Sequence, residues 1–366
     1  MQYFSIDFLI LYALLGITLF IGLRTGRGIK DIREYATGNK EFTTGALVLT
    51  WLATDIAGET ILDMSHSIRT EGIIQILTLT GGVGIALLMQ GLVFAPQFAK
   101  FPDCITMGDV MQTLYRGPSQ VLTGILAFLT AVCIAGMEVT VLGLLAEQLL
   151  GINFYWGTAL GGMLLVIYTV HGGIKSVAYT DILQFLILVI IIPLITVICL
   201  QHAGGIKEML TQVSSAKLAI LQHPKLGYYL SLFISLSIFQ FSVIDPALMQ
   251  RILMGRSKQQ LRNQFLVVSS LFFAVMLSVL LLGLSSLILF PDDSIVTIIP
   301  HVIHNLLPTG LKGLAFAGLF AITMSTFDSF LHAAGLTLVH DVITPMCKLK
   351  NKKLFMISVD KFSRKQ

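Results

Sequence analysis

Hydropathy along the chain falls into long apolar runs separated by short polar connections. Nine runs are long enough to cross a bilayer, at about 5–23, 42–65, 72–95, 118–148, 153–171, 177–201, 227–250, 265–290 and 310–341. None shows the strict apolar–polar alternation of a barrel strand. The pattern therefore predicts an all-α, polytopic helical membrane protein. The first run reads as a membrane helix and not as a signal peptide, because no basic residue precedes it and five follow it closely.

The informative positions are polar ones inside these runs. In the second run, Trp51–Thr60 carries Asp55, Gly58 and Glu59, with Asp63 just beyond. An acidic residue at the centre of a membrane helix costs about 2.5–3.5 kcal/mol, so these groups are expected to face something polar. The expectation is an interrupted helix whose freed carbonyls and carboxylates line an ion or solute site. In the seventh run Pro246 removes a backbone donor and disfavours helix at Asp245, giving either a second interruption or a simple proline kink. Interruptions five helices apart, in halves of opposite orientation, point to a secondary transporter with inverted repeats.

The ninth run reads Ile322-Thr323-Met324-Ser325-Thr326-Phe327-Asp328-Ser329. Ser325 and Thr326 lie three and four positions after Ile322, so both hydroxyls sit over the turn whose carbonyl Ile322 supplies. Either they bond back to that carbonyl, as hydroxyls in membrane helices do, or the three neutral oxygens form part of a site for a hard monovalent cation. Asp181, near the start of the sixth run, is either a helix N-terminal carboxylate or part of an ion path. Glu138 lies deeper than the interfacial Glu147. Gly81, Gly82 and Gly84 follow no strand and signify close helix packing, not a phosphate loop. His301 and His304 have no third metal ligand nearby and read as interfacial.

Composition agrees with the membrane assignment. Charged residues make up 12% of the 366, about half the ~25% of soluble domains, and mean hydropathy is +0.84. The net charge of +4 is spread over loops and is no nucleic-acid footprint. Four scattered cysteines suggest neither a disulfide framework nor a zinc site. Nineteen of the 24 lysines and arginines fall on one side of the nine-run topology, which places the N-terminus outside and the C-terminus in the cytoplasm. No catalytic motif supports a membrane-embedded enzyme.

Four stretches together resemble the sodium:solute symporter family. Ala53-Thr54-Asp55-Ile56-Ala57-Gly58 is similar to its first broken core helix, and Gly172-Gly173 with Thr180-Asp181-Ile182-Leu183-Gln184 to its signature between core helices four and five. Gln250-Arg251 resembles the close of core helix six, and Met324-Ser325-Thr326, Asp328-Ser329 and Asp341 resemble core helix eight. The resemblance implies sodium-driven import of a small organic solute by alternating access across the plasma (inner) membrane, with Na+ as coupling ion and no organic cofactor. It implies an extra helix and basic loop over residues 1–41, a five-helix repeat over 42–201, a second repeat over 202–345, and a basic tail over 346–366. The sodium ligands would be the carbonyls of Ala53, Ile56 and Ile322 with the hydroxyls of Ser325 and Thr326. Asp55 and Asp181 match positions linked to ion coupling. Asp328 departs from the family pattern and is either a further cation or proton site or a group facing the water-filled path. Glu59 and Asp245 are the expected solute contacts. The family pattern has two more core helices after Asp341, so the second repeat counts three helices of five. The expectation is a fragment, a split-gene half whose missing helices a separate chain supplies, or a degenerate product. The alternative readings are a non-transporting fragment or a membrane solute sensor on the same bundle.

Overall fold

The structure, a computed structural model, describes residues 5–239, 245–291 and 298–347. Every regular element among them is helical. In order they are α1 (Ile6–Thr25), α2 (Ile32–Thr37), α3 (Thr44–Asp55), α4 (Gly58–Glu71), α5 (Ile73–Met89), α6 (Met107–Tyr115), α7 (Ser119–Leu150), α8 (Phe154–His202), α9 (Gly205–Gln212), α10 (Ser215–Leu218), α11 (Leu226–Phe239), α12 (Pro246–Leu253), α13 (Lys258–Leu289), α14 (Ile298–Leu306) and α15 (Leu311–Thr337). α5 continues to Lys100, and α15 continues through a π-turn over Leu338–Ile343 to Met346.

Among the described residues six helices are long and apolar enough to cross a membrane: α1, α5, α7, α8, α13 and α15 with its extension. The bent pair α3 and α4 brings the number to seven when it is counted as one broken span. Two of the expected runs, 153–171 and 177–201, lie together in α8, and the run 227–250 passes through residues 240–244, outside the described residues.

α8 is a helical hairpin. A straight helix of its 49 residues would reach about 74 Å, more than twice the hydrocarbon thickness. Gly173, at φ 52° and ψ −151°, breaks it. Tyr168 and Thr180 lie on opposite sides of that break, yet their hydroxyls reach the same Asp328 Oδ2, at 2.6 and 3.4 Å. Twelve residues along one helix would separate them by about 18 Å. The chain therefore turns back at Gly173, where the backbone conformation is open to glycine alone.

α15 is the axis of the bundle. Of its most apolar 18-residue stretch 89% is buried, against 22–44% in the other five spans, so its neighbours and not lipid surround it. It packs against α1, α3, α7, α8 and α12. The outer helices turn large apolar side chains outward, among them Leu122, Leu126 and Leu129 of α7, and Tyr155 and Trp156 stand exposed at the start of α8 where an aromatic belt belongs. Gly81 and Gly82 of α5 lie against α11, and Gly84 against Phe273 of α13, the close packing expected of them.

Gly173→Ala should destabilise the folded chain by at least about 1–3 kcal/mol, because the turn is strained for any side chain and a Cβ would lie 2.8 Å from the Tyr35 carbonyl oxygen. Gly136→Ala, on an open surface of α7, should leave stability unchanged or slightly raised. Thermal unfolding in detergent compares the two. Equal melting temperatures would contradict the hairpin.

Candidate functional site

The site begins where α3 stops. Its backbone leaves the helix at Ile56 (φ −87°, ψ 83°) and Ala57 (φ −71°, ψ 154°), and α4 restarts at Gly58 with its later part, Thr60–Glu71, bent 52° from α3. A helix end leaves its last four carbonyls without intrahelical donors. Gly58 is placed against Thr323 of α15, whose hydroxyl a Cβ there would strike, so the break can lie directly on the central helix.

Four of the five oxygens expected to hold an ion meet at this break. Ser325 Oγ lies 2.7 Å from the Ala53 carbonyl oxygen and 2.7 Å from that of Ile322, while Thr326 Oγ1 lies 3.4 Å from the Ile322 oxygen. Ser325 and Thr326 do bond back along their own helix, but Ser325 also bridges to the broken one. A hydroxyl has a single proton, so it can satisfy one of these carbonyls at a time, and the Thr326 contact is too long to supply the other fully. The cluster holds more lone pairs than protons, in a place where Ala53, Ile322, Ser325 and Thr326 are all buried. The fifth residue, Ile56, is buried at the break itself.

One turn further along α15 lies a buried ionic layer. Asp181 Oδ2 accepts from Arg251 Nη2 at 3.0 Å, with both side chains fully buried, and from the Thr50 hydroxyl. Arg251 also donates to Ser329 Oγ and, at 3.0 Å, to the Ala247 carbonyl. Ser329 Oγ is 3.1 Å from Thr54 Oγ1. Asp328 Oδ2 accepts from Tyr168 and Thr180. The layer thus holds two carboxylates and one guanidinium, which pairs with Asp181, and Asp181 Oδ1 has no hydrogen-bond partner. If both were ionised the layer would carry a surplus negative charge, which a low-dielectric interior tolerates only when a proton or cation offsets it.

The structure removes one of the two alternatives for Asp181 and corrects the placement of Arg251. Asp181 is not a helix N-terminal carboxylate, because it lies eight residues beyond Gly173, two turns inside the second arm of the hairpin. Arg251, counted with the loop charges, is in the core, so the basic bias becomes eighteen to five and keeps its sign. Its place at the end of an apolar run with Gln250 hid this, and only the motif Gln250-Arg251 hinted at it. Tyr168 and Thr50 were missed because neither carries charge.

The other expected residues are more scattered. Asp55 closes α3 with its Oδ2 buried and unpaired, within electrostatic reach of Asp245. Asp245 caps α12, accepting from the Leu248 N–H at 2.9 Å. The side chain of Glu59 lies outside what the structure describes. Asp63 is exposed and Glu138 is buried on α7. On the face with the basic loops, Lys175 bonds Glu34 at 2.7 Å, and this hydrogen bond holds the Glu34 carboxyl below the usual range. Gln250 donates to the Ala36 and Ile105 carbonyls, and His332 Nε2 lies 3.2 Å from the Tyr35 carbonyl, so α2 is stitched to the bundle.

A broken helix laid on a polar central helix inside an apolar bundle is the architecture of a multi-pass helical membrane protein. The chain belongs to the sodium:solute symporter family, whose model matches residues 35–360. It is similar to the sodium/mannose cotransporter SLC5A10 of Bos taurus (24% identity over 70% of this chain and 50% of that protein) and to the sodium/iodide cotransporter of Homo sapiens (21% over 94% and 56%). The chain thus spans about half the length of these curated relatives. Its fold is shared with a Na+-coupled sialic acid symporter solved in a substrate-bound outward-open state, at TM-score 0.82 and 20% identity over 99% of this chain and 80% of that one. MhsT in complex with L-phenylalanine matches at TM-score 0.60 and 16% identity over 81% and 73%.

Arg251→Met leaves Asp181 buried without its cation and should destabilise the chain by about 3–5 kcal/mol. Combined with Asp181→Leu it should recover most of that loss, since a buried pair replaced by apolar groups is often neutral. Thermal unfolding of both singles and the double closes the cycle, and additive losses would show that the pair is not coupled.

Proposed function

We propose that this chain forms the ion- and solute-binding part of a sodium-coupled symporter that imports a small organic solute across the plasma membrane by alternating access. The observation that carries the reading is Ser325 Oγ at 2.7 Å from both the Ala53 and Ile322 carbonyl oxygens. Na+ as cotransported ion would take the surplus lone pairs there, with Thr326 Oγ1 and the Ile56 carbonyl as further ligands. A cation that bridges α3 and α15 stabilises the arrangement in which the break is closed on the central helix. Solute affinity then depends on the ion, and the coupling is reciprocal.

Asp55, Asp181 and Asp328 are the coupling carboxylates in this reading, and Glu59 and Asp245 the solute contacts. The basic bias supports a cytoplasmic C-terminus, and opening toward that side would require release of α2 from Gln250 and His332. A second reading, proton coupling, has its own support in the layer where Asp181 and Asp328 are buried with Arg251 alone to offset them. A proton on either carboxylate neutralises the surplus as well as a second cation does.

Sodium chloride should raise the melting temperature of the purified chain in detergent over matched choline chloride. A ligand at about 100 times its Kd adds about 2.7 kcal/mol when it binds only the folded state. Ser325→Ala with Thr326→Ala should abolish the rise. The same rise in the double variant would sink the sodium assignment. Uptake that follows a pH gradient in sodium-free buffer, and is lost in Asp328→Asn, would favour the proton reading.

A further inference from the structure

Beyond the transport site, one cluster joins α6 to the far end of α15. Asp109, His340 and Asp341 each offer one ligand atom, and the three atoms lie within 4.8 Å of one another. His340 Nε2 is 2.9 Å from Asp109 Oδ1. Each carboxylate is anchored through neutral donors. Asp341 Oδ1 accepts from Thr106 Oγ1 at 2.7 Å and Gln120 Nε2 at 3.1 Å, and Asp109 Oδ2 accepts from the Ile105 N–H at 3.0 Å. Gln120 Nε2 also reaches Asp109 Oδ1 at 3.2 Å. Asp341 is fully buried, and its Oδ2 has no hydrogen-bond partner. Among the described residues no lysine or arginine bonds to either carboxylate.

His340 and Asp341 are consecutive, and consecutive residues of a regular helix do not face one target. Here they lie in the π-turn Leu338–Ile343, which widens the helix and lets both side chains meet the same partner on α6. We propose that Asp109, His340 and Asp341 form a binding site for a first-row divalent transition-metal ion. One imidazole and two carboxylates suit zinc or manganese better than sodium or calcium, which take oxygen ligands alone. Metal–ligand distances of about 2.0–2.2 Å call for donors roughly 3.3 Å apart, a modest closure from the separations present. Gln120, Thr106 and the Ile105 N–H serve as the outer shell that orients the carboxylates. The bound ion would pin α6 to the helix that carries Ile322, Ser325 and Thr326, at the face where α2 is also fastened.

The test uses the purified chain in detergent, stripped with chelator, and Zn2+ or Co2+ alone as probe. Zn2+ should raise the melting temperature, and Co2+ should give the d–d absorption of a nitrogen- and oxygen-ligated ion at one per chain. Both responses should vanish in His340→Ala. Gln120→Ala should weaken Co2+ binding about 10–100-fold. His340 is a partly exposed side chain, so its variant keeps the fold, and its metal-free melting temperature and circular dichroism establish that. No cobalt spectrum in the unmodified chain, or a spectrum unchanged by His340→Ala, overturns the site. Neither readout involves sodium or solute, so failure here leaves the transport reading untouched.

Discussion

Hydrocarbon offers no hydrogen bonds, so a helix that stops inside a membrane has to give its last carbonyls to other protein groups. The stop of α3 at Asp55 imposes that condition on everything around it. α15 meets it, with Ser325 turned to the Ala53 carbonyl and Thr323 filling the space that Gly58 leaves open. A lipid-facing helix could not carry Ser325, Thr326, Asp328 and Ser329 within five positions without exposing them to hydrocarbon. This is the physical reason that α15 is the most buried span.

The same two helices are tied again one turn away. Thr54 meets Ser329, and Thr50 meets Asp181 on the second arm of α8. Arg251 of α12 closes the circuit by holding Asp181 and Ser329 at once. Four elements thus share one hydrogen-bond ring, so α3 cannot shift along α15 without disturbing partners on α8 and α12. The charges make the ring sensitive to occupancy, because Asp328 and Asp181 outnumber the one guanidinium.

Much of this was legible in the sequence where a residue was out of place for its surroundings. Asp55 and Gly58 in an apolar run announced the break, and the spacing of Ile322, Ser325 and Thr326 announced hydroxyls over a carbonyl. The short gap between the runs 153–171 and 177–201 announced the turn that the Gly173 dihedrals make. What stayed hidden were long-range pairings of residues that are ordinary on their own. Tyr168 in an apolar stretch looks like packing until Asp328, 160 positions away, lies against its hydroxyl. Arg251 looks like a loop charge because the run ends there. Asp109 and His340, 231 positions apart, meet where α15 continues as a π-turn that no local pattern marks.

The polar positions of α15 divide into two faces, and the division bears on coupling. Ile322, Ser325, Thr326 and Ser329 recur at three- and four-residue steps, and Ser325 and Ser329 of this set turn toward α3 and α12. Asp328 points instead to Tyr168 and Thr180 on the two arms of α8. Ser329 connects the faces, since its hydroxyl is in contact with Thr54, Arg251 and the Asp328 carboxylate. On the proposed reading, neutralising Asp328 changes how Arg251 divides its hydrogen bonds between Asp181 and Ser329. That in turn alters the hold of Ser329 on α3, one turn from the carbonyl that an ion at Ser325 would share. On that reading the two layers act on one helix–helix contact, and occupancy of either would bias the other without any longer pathway between them.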